Sequence, residues 1–223
     1  MSLYQDIADL CIPYKANVLV KRLEGAKQTE RLFDSTAPHA LILLASSMHQ
    51  SMTPATQPWL SLRLRQEHLN AIKEVEDWLE DCARRMHAAF RQATFNQSVH
   101  EMYLDLAAFG IGALFIDEKS PSARGQFGGF RFHVPAVGDY AIAENADGQV
   151  DTMFRTLTLS LRAADAKWPG KLARQSQDKL RTKPDETIQI LHAVYPRTDM
   201  KYGEDGKRRR GGQNMPWASC YVE

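Results

Sequence analysis

The apolar residues of this chain change their spacing near Gly110, and that change limits the fold more than any other feature. From Leu41 to Phe109 they mostly recur every third or fourth residue, the period of a helix with one buried face. From Leu114 onward they mostly alternate, the period of a strand with one face inside. Helices first and strands after make the fold class α+β, with a mainly antiparallel sheet in the second half. The expected division is a mainly helical part, 1–118, and a β-rich part, 119–223. At 223 residues, 43% of them apolar, the chain is long enough to bury a core of useful size.

Local signals place the elements. A first helix fits Leu3 to Cys11, and Pro13 stops it. A second starts near Asp34, with Ser35 and Thr36 as caps and Pro38 in its first turn. Its stripe is Leu41, Leu44, Ala45, Met48 and Met52, which Ile42 and Leu43 widen, so burial on more than one side is expected. "TPATQP" ends it, and Leu60, Leu62 and Leu64 then alternate with Ser61, Arg63 and Arg65 as a half-buried strand. A long helix follows from about Gln66 to Gln92. Its acids lie mainly in the first two thirds and Arg84, Arg85 and Arg91 in the last, an order that suits the helix dipole. Glu80–Arg84 and Asp81–Arg85 have the spacing of ion pairs. "TFNQ" (Thr94–Gln97) has the form of a capping box for the next helix, and Gly110 ends that helix. Strands are expected at "ALFIDE", at "FRFHV", on both sides of "NADG", at "TIQILHAVYP" and at "PWASCYV". A helix over Leu161–Leu180 is interrupted at Pro169-Gly170, and "SPSARGQFGG" and "YGEDGKRRRGGQ" are loops. The chain stops within an apolar strand, which suggests the front part of something longer.

A search for chemistry finds little. The Gly-Lys pairs Gly170-Lys171 and Gly206-Lys207 lack the rest of a phosphate-binding loop. "GIG" (Gly110–Gly112) precedes a strand where a dinucleotide loop follows one, so it reads as a helix stop with close backbone packing. Neither GxSxG nor HExxH occurs, and the seven histidines are scattered. The acids from Glu74 to Asp81 read as a solvated helix face. Cys11, Cys82 and Cys220 lie far apart without metal spacing, so a reducing compartment is expected, and no cofactor is. The longest apolar run, Ala40–Ala45, is far short of a membrane span, so no membrane partner is expected. Net charge is +1, so any nucleic-acid contact needs a local patch. The one concentrated patch is Lys207, Arg208, Arg209 and Arg210. It reads as a solvated hairpin tip or as a contact for nucleic acid or an acidic neighbour, and both stay open. No aromatic is interleaved to stack bases.

Five stretches in order carry a resemblance: "YQDIADLCIPY" (Tyr4–Tyr14), "LFDSTAPHALILLASSMHQSMTPATQPW" (Leu32–Trp59), "HEMYLDLAAFGIGALFIDE" (His100–Glu118), "NADGQVDTMFRTLTLS" (Asn145–Ser160) and "IQILHAVYPRTD" (Ile188–Asp199). Together they resemble the head-to-tail connector (portal) proteins of short-tailed, podovirus-type bacteriophages. Leu60 after Trp59 departs from that pattern, where an aromatic is common. Such proteins are roughly twice as long, so the resemblance implies a fragment or a broken prophage gene product that holds the wing region before the stem and clip. It implies a structural subunit of a dodecameric ring at one capsid vertex, through which double-stranded DNA is packaged and ejected. The implied partners are other copies of the chain, capsid, terminase and tail proteins; the implied place is the virion, after synthesis in the bacterial host cytoplasm. It implies no enzymatic activity. A ring needs two complementary faces on each subunit, and Glu80, Asp81, Arg84 and Arg85 are candidates for them. The alternative reading is a nucleic-acid-binding module that uses the basic loop 207–210, and a third is an enzyme resting on scattered polar residues.

Overall fold

The computed structural model describes residues 2–15, 17–18, 25–119, 127–199 and 214–223. The chain is α+β and forms two compact units, Met1–Val137 and Gly138–Glu223.

In the first unit, helices α1 (Ser2–Cys11), α2 (Thr36–Met52), α3 (Lys73–Gln92) and α4 (Phe95–Phe109) precede the hairpin β1 (Phe115–Glu118) and β2 (Phe130–His133). The core joins Ala8 on α1 and Ile12 just after it, Leu41 and Ala45 on α2, Val99, Tyr103 and Phe109 on α4, and Phe132 on β2. Ile12 is wholly buried, which is worth about 1.5–3 kcal/mol relative to exposure. Gly110 closes α4 in the left-handed region at φ 73°, with its N–H donating to the Leu106 carbonyl at 3.0 Å. A Cβ at Gly112 would lie 2.9 Å from the Met102 carbonyl oxygen. "GIG" is therefore a helix stop with close backbone packing, as the sequence suggested.

Several local expectations are corrected. Helix α2 starts at Thr36 with Ser35 at the N-cap position as expected, but Ser35 makes no side-chain cap bond; the Thr36 N–H donates instead to Asp34 Oδ1 at 3.2 Å. The Thr36 hydroxyl and N–H, bonded to the Asp34 carboxylate, hold its pKa below the usual range. Only Leu41 and Ala45 of α2 are buried, whereas Ile42, Leu43, Leu44 and Met52 are about half exposed. Its neighbours α1 and α4 cover one stripe, not the several sides expected. Leu60–Leu64 is not a strand: it has the predicted alternation of burial but no ladder. The long helix begins at Lys73, not near Gln66, because Ile72 is extended (φ −82°, ψ 120°) and Glu67–Ala71 is a 3-10 turn. Asn70 explains the break. Its side-chain amide donates to the Leu64 carbonyl at 3.0 Å and accepts the Leu64 N–H at 2.8 Å, standing in for a neighbouring strand. The capping box at Thr94 does not form either. Thr94 has φ −82° and ψ 25°, so its hydroxyl does not cap, while its carbonyl accepts the Ser98 N–H at 2.9 Å.

In the second unit, β3 (Tyr140–Glu144), β4 (Val150–Ser160), β5 (Thr187–Pro196) and β6 (Trp217–Val222) form one antiparallel sheet in sequence order. The turn at "NADG" is tied by Asn145, whose Oδ1 accepts the N–H groups of Asp147 and Gln149. Between β4 and β5 the chain forms α5 (Leu161–Lys167) and α6 (Arg174–Leu180), split at Pro169-Gly170 as expected. Leu161, Ala164 and Leu172 bury one sheet face together with Leu157, Leu159, Ile188, Ile190 and Tyr221. The first turn of α6 is capped by Glu223, which accepts the Ala173 N–H at 2.7 Å and the Ser176 hydroxyl.

Candidate functional site

Helix α3 is amphipathic, with Leu79 and Ala83 buried and its charges outward. Lys73 pairs with Asp77 at 2.8 Å and with Glu76 at 3.5 Å in its first turn. Further along, Arg84 Nη2 lies 3.0 Å from Asp81 Oδ1, and Arg85 Nε lies 2.6 Å from Asp81 Oδ2. The expected Asp81–Arg85 pair thus forms, and the expected Glu80–Arg84 pair does not. The two Asp81 oxygens serve both arginines, and Glu80 joins no ion pair among the described residues. Arg84 and Arg85 remain 70% and 80% exposed, so these pairs are worth little to folding, and both guanidinium groups still face solvent. The other candidate set, Lys207, Arg208, Arg209 and Arg210, lies outside the described residues.

The segment after α2 runs extended beside α3. Trp59 stacks on Phe95 (5.5 Å, 11°) and on Phe90 (6.0 Å, 10°), and meets His87 edge-on at 5.5 Å. Phe90 and Phe95 stack at 5.0 Å, and Phe132 of β2 closes on both. Such pairs add about 0.5–1.5 kcal/mol each beyond burial and fix the angle at which the segment leaves Trp59. Between the segment and α3 lies an open cavity of about 710 Å³, lined by Leu60, Leu62, Leu79, Ala83, His87 and Trp59 among others. Trp59 is thus the anchor of this edge. The roles of Asn70 and His87 had no sequence signal, because each depends on a backbone group brought in by the fold.

Two polar clusters lie deeper. Lys15 binds Asp105 and also Glu101, at 3.0 Å from Oε1. Burial pushes the Asp105 carboxyl above its usual range, and Lys15 opposes the shift. In the second unit, the buried His192 stacks on Tyr221 at 4.1 Å and 5°. Its Nε2 lies 2.8 Å from Ser219 Oγ, a distance that would suit a nucleophile and its base. On the other side, however, Arg155 Nε donates to His192 Nδ1 at 2.8 Å. A catalytic triad has an acid there to stabilise the imidazolium. Here an arginine donates to Nδ1 instead, so the arrangement lacks the acid of a triad. Arg155, His192 and Ser219 together tie β4, β5 and β6 to one another. Among the described residues, no helix is long and apolar enough to cross a membrane, and no cluster of His, Cys, Asp and Glu has the geometry to hold a metal ion.

What these features offer is surface: an extended edge, an outward charged helix and half-exposed apolar side chains on α2. Comparison with known proteins agrees with such a role. Curated relatives include the probable portal protein of Bordetella phage BPP-1, 26% identical over 226 residues, covering all of this chain and 39% of the relative. The portal protein of Salmonella phage epsilon15 is 24% identical over 221 residues, covering 98% of this chain and 38% of the relative. The chain thus spans about two fifths of the length of these relatives. The family described as "Bacteriophage head to tail connecting protein" matches residues 1–223, and the chain belongs to that family.

Proposed function

We propose that this chain is the wing portion of a portal subunit, a structural part of the ring through which phage DNA is packaged and ejected. The observation that carries this reading is the family match across all 223 residues. The working assembly is a dodecamer of such subunits at one vertex of the virion, with double-stranded DNA, capsid, terminase and tail proteins as partners. The role is mechanical, and ATP hydrolysis belongs to the terminase. Arg84 and Arg85 of α3, with Glu80 and Asp81, are proposed as one subunit contact, because their exposed charge is spare beyond the pairing within the helix.

Negative-stain microscopy tests the reading. The chain, extended by the remaining length of its relatives, is expected to give ring-shaped particles with a central hole. Featureless particles from the extended form would sink it.

A further inference from the structure

Leu60–Leu64 runs extended, with no strand beside it among the described residues. Both backbone groups of Leu64 turn to Asn70, and the Leu60 N–H turns to His87 Nε2 at 3.4 Å. In an extended chain the N–H and C=O groups of alternate residues point to the same edge. The groups of Leu60, Leu62 and Leu64 therefore face the 3-10 turn and α3, those of Ser61 and Arg63 face outward, and Arg65 follows at the bend that leads into the turn. No backbone hydrogen bond of Ser61 or Arg63 occurs among the described residues. This outward edge carries two arginines that join no ion pair there.

A second open edge lies on β1. Among the described residues Phe115–Glu118 pairs only with β2, and the Lys119 N–H donates to the Gly129 carbonyl. Lys119, and by alternation Asp117, thus turn their backbone groups to β2, so those of Ile116 and Glu118 point away from it. Ile116 is 56% exposed, and Asp117 and Glu118 join no ion pair among the described residues. One edge is basic and the other acidic, and they are different surfaces of one subunit.

We propose that the outward edge of Leu60–Arg65 in one copy of this chain receives the outward edge of β1 from a second copy as an antiparallel strand, with Arg63 opposite Glu118 and Arg65 opposite Ile116. The inference rests on the self-assembly reading above and names the contact. The pairing satisfies backbone groups that otherwise face water, as strand addition does at other open edges. It sets opposite charges across from one another. It is also head-to-tail: each copy keeps a free edge of the other kind, so the contact repeats around a ring, whereas a two-fold contact would stop at a dimer.

Trapping between copies tests it. One preparation carries Arg65→Cys and the other Ile116→Cys. Opposed residues on facing edges have Cα atoms about 5.5 Å apart, within disulfide reach. Under mild oxidation, the mixture is expected to give a covalent dimer joined through the two introduced cysteines, confirmed by peptide mapping. Yield should exceed that of either preparation alone and of the unsubstituted chain, which controls for Cys11, Cys82 and Cys220. Adding Arg63→Glu to the first preparation should lower the yield several-fold, and adding Glu118→Arg to the second should restore it. A mixture no better than its controls overturns the contact, as does a yield indifferent to charge reversal. The ring reading fails separately, by microscopy of the extended chain.

Discussion

Lys15 Nζ lies 2.8 Å from Asp105 Oδ1 and 2.9 Å from Oδ2, joining the turn after α1 to the middle of α4 across 90 residues of sequence. Asp105 is 1% exposed, so its charge depends on this ammonium. Lys15→Met should therefore destabilise the first unit by about 3–5 kcal/mol near neutral pH, the usual cost of leaving half of a buried pair. Burial already raises the Asp105 pKa, and loss of Lys15 raises it further. A raised carboxyl pKa means that the fold prefers the protonated form. Its stabilising share is full below the ordinary carboxylate pKa and is lost as pH rises through the raised one. The penalty of Lys15→Met is thus smallest in mild acid and grows toward neutrality, and urea unfolding at the two conditions reads it. Equal penalties would show that poorer packing, not charge, is the cause. Adding Asp105→Leu should recover much of the stability at neutral pH.

Gly112 faces the Met102 backbone, so Gly112→Ala pushes a methyl group against a carbonyl oxygen that cannot swing away. The expected cost is about 1–3 kcal/mol, the range for overpacking. Gly110→Ala meets no atom but must hold a positive φ, at about 1–2 kcal/mol. Thermal unfolding ranks both below the parent chain. A neutral Gly112→Ala would show that β1 can shift away from α4.

Reversing Arg84 and Arg85 to Glu places three acids where one acid now holds two bases. Within the helix the change should cost about 1 kcal/mol or less, since each surface pair contributes a few tenths. If these arginines also meet a neighbouring subunit, ring yield in the extended chain falls far more than unfolding free energy does. Urea titration together with negative-stain counting separates the two. Unchanged rings would confine Arg84 and Arg85 to their own helix.

Neutralising Lys207–Arg210 to Gln distinguishes a solvated hairpin tip from a phosphate-binding loop. On the first reading, DNA retention on filters is weak and unchanged by the substitutions. On the second, retention falls steeply with salt in the parent chain, and that slope flattens in the variant, by close to one unit for each phosphate that the variant no longer neutralises. Weak retention unchanged by the substitutions is the expected outcome, because no aromatic is interleaved among the four cations to stack bases.

The resemblance lay in the wording of five stretches, and the family match across the whole chain agrees with it. What the stretches could not show is where a surface lies. Arg63 and Glu118 each read as one charge in an alternating run. Their interest comes from backbone groups that no neighbour among the described residues takes up, and open backbone hydrogen bonds are not written in side chains.

The sequence by itself determined the order of elements. Periods of three to four and of two are local properties, and so are the stops at Gly110 and at Pro169-Gly170 and the turn at Asn145–Gly148. Leu60–Leu64 marks the limit. Alternation decided which side chains of the segment turn inward, and burial follows it. Whether that segment became a strand depended on a neighbour to share its ladder, and among the described residues the fold supplied the side chain of Asn70 and the ring of His87 instead. In the same way α2 had the composition of a helix buried on several sides, yet only the stripe facing α1 and α4 was covered. Local periodicity fixes which way a residue can point; what it meets there depends on elements distant in sequence, and only their packing decides it.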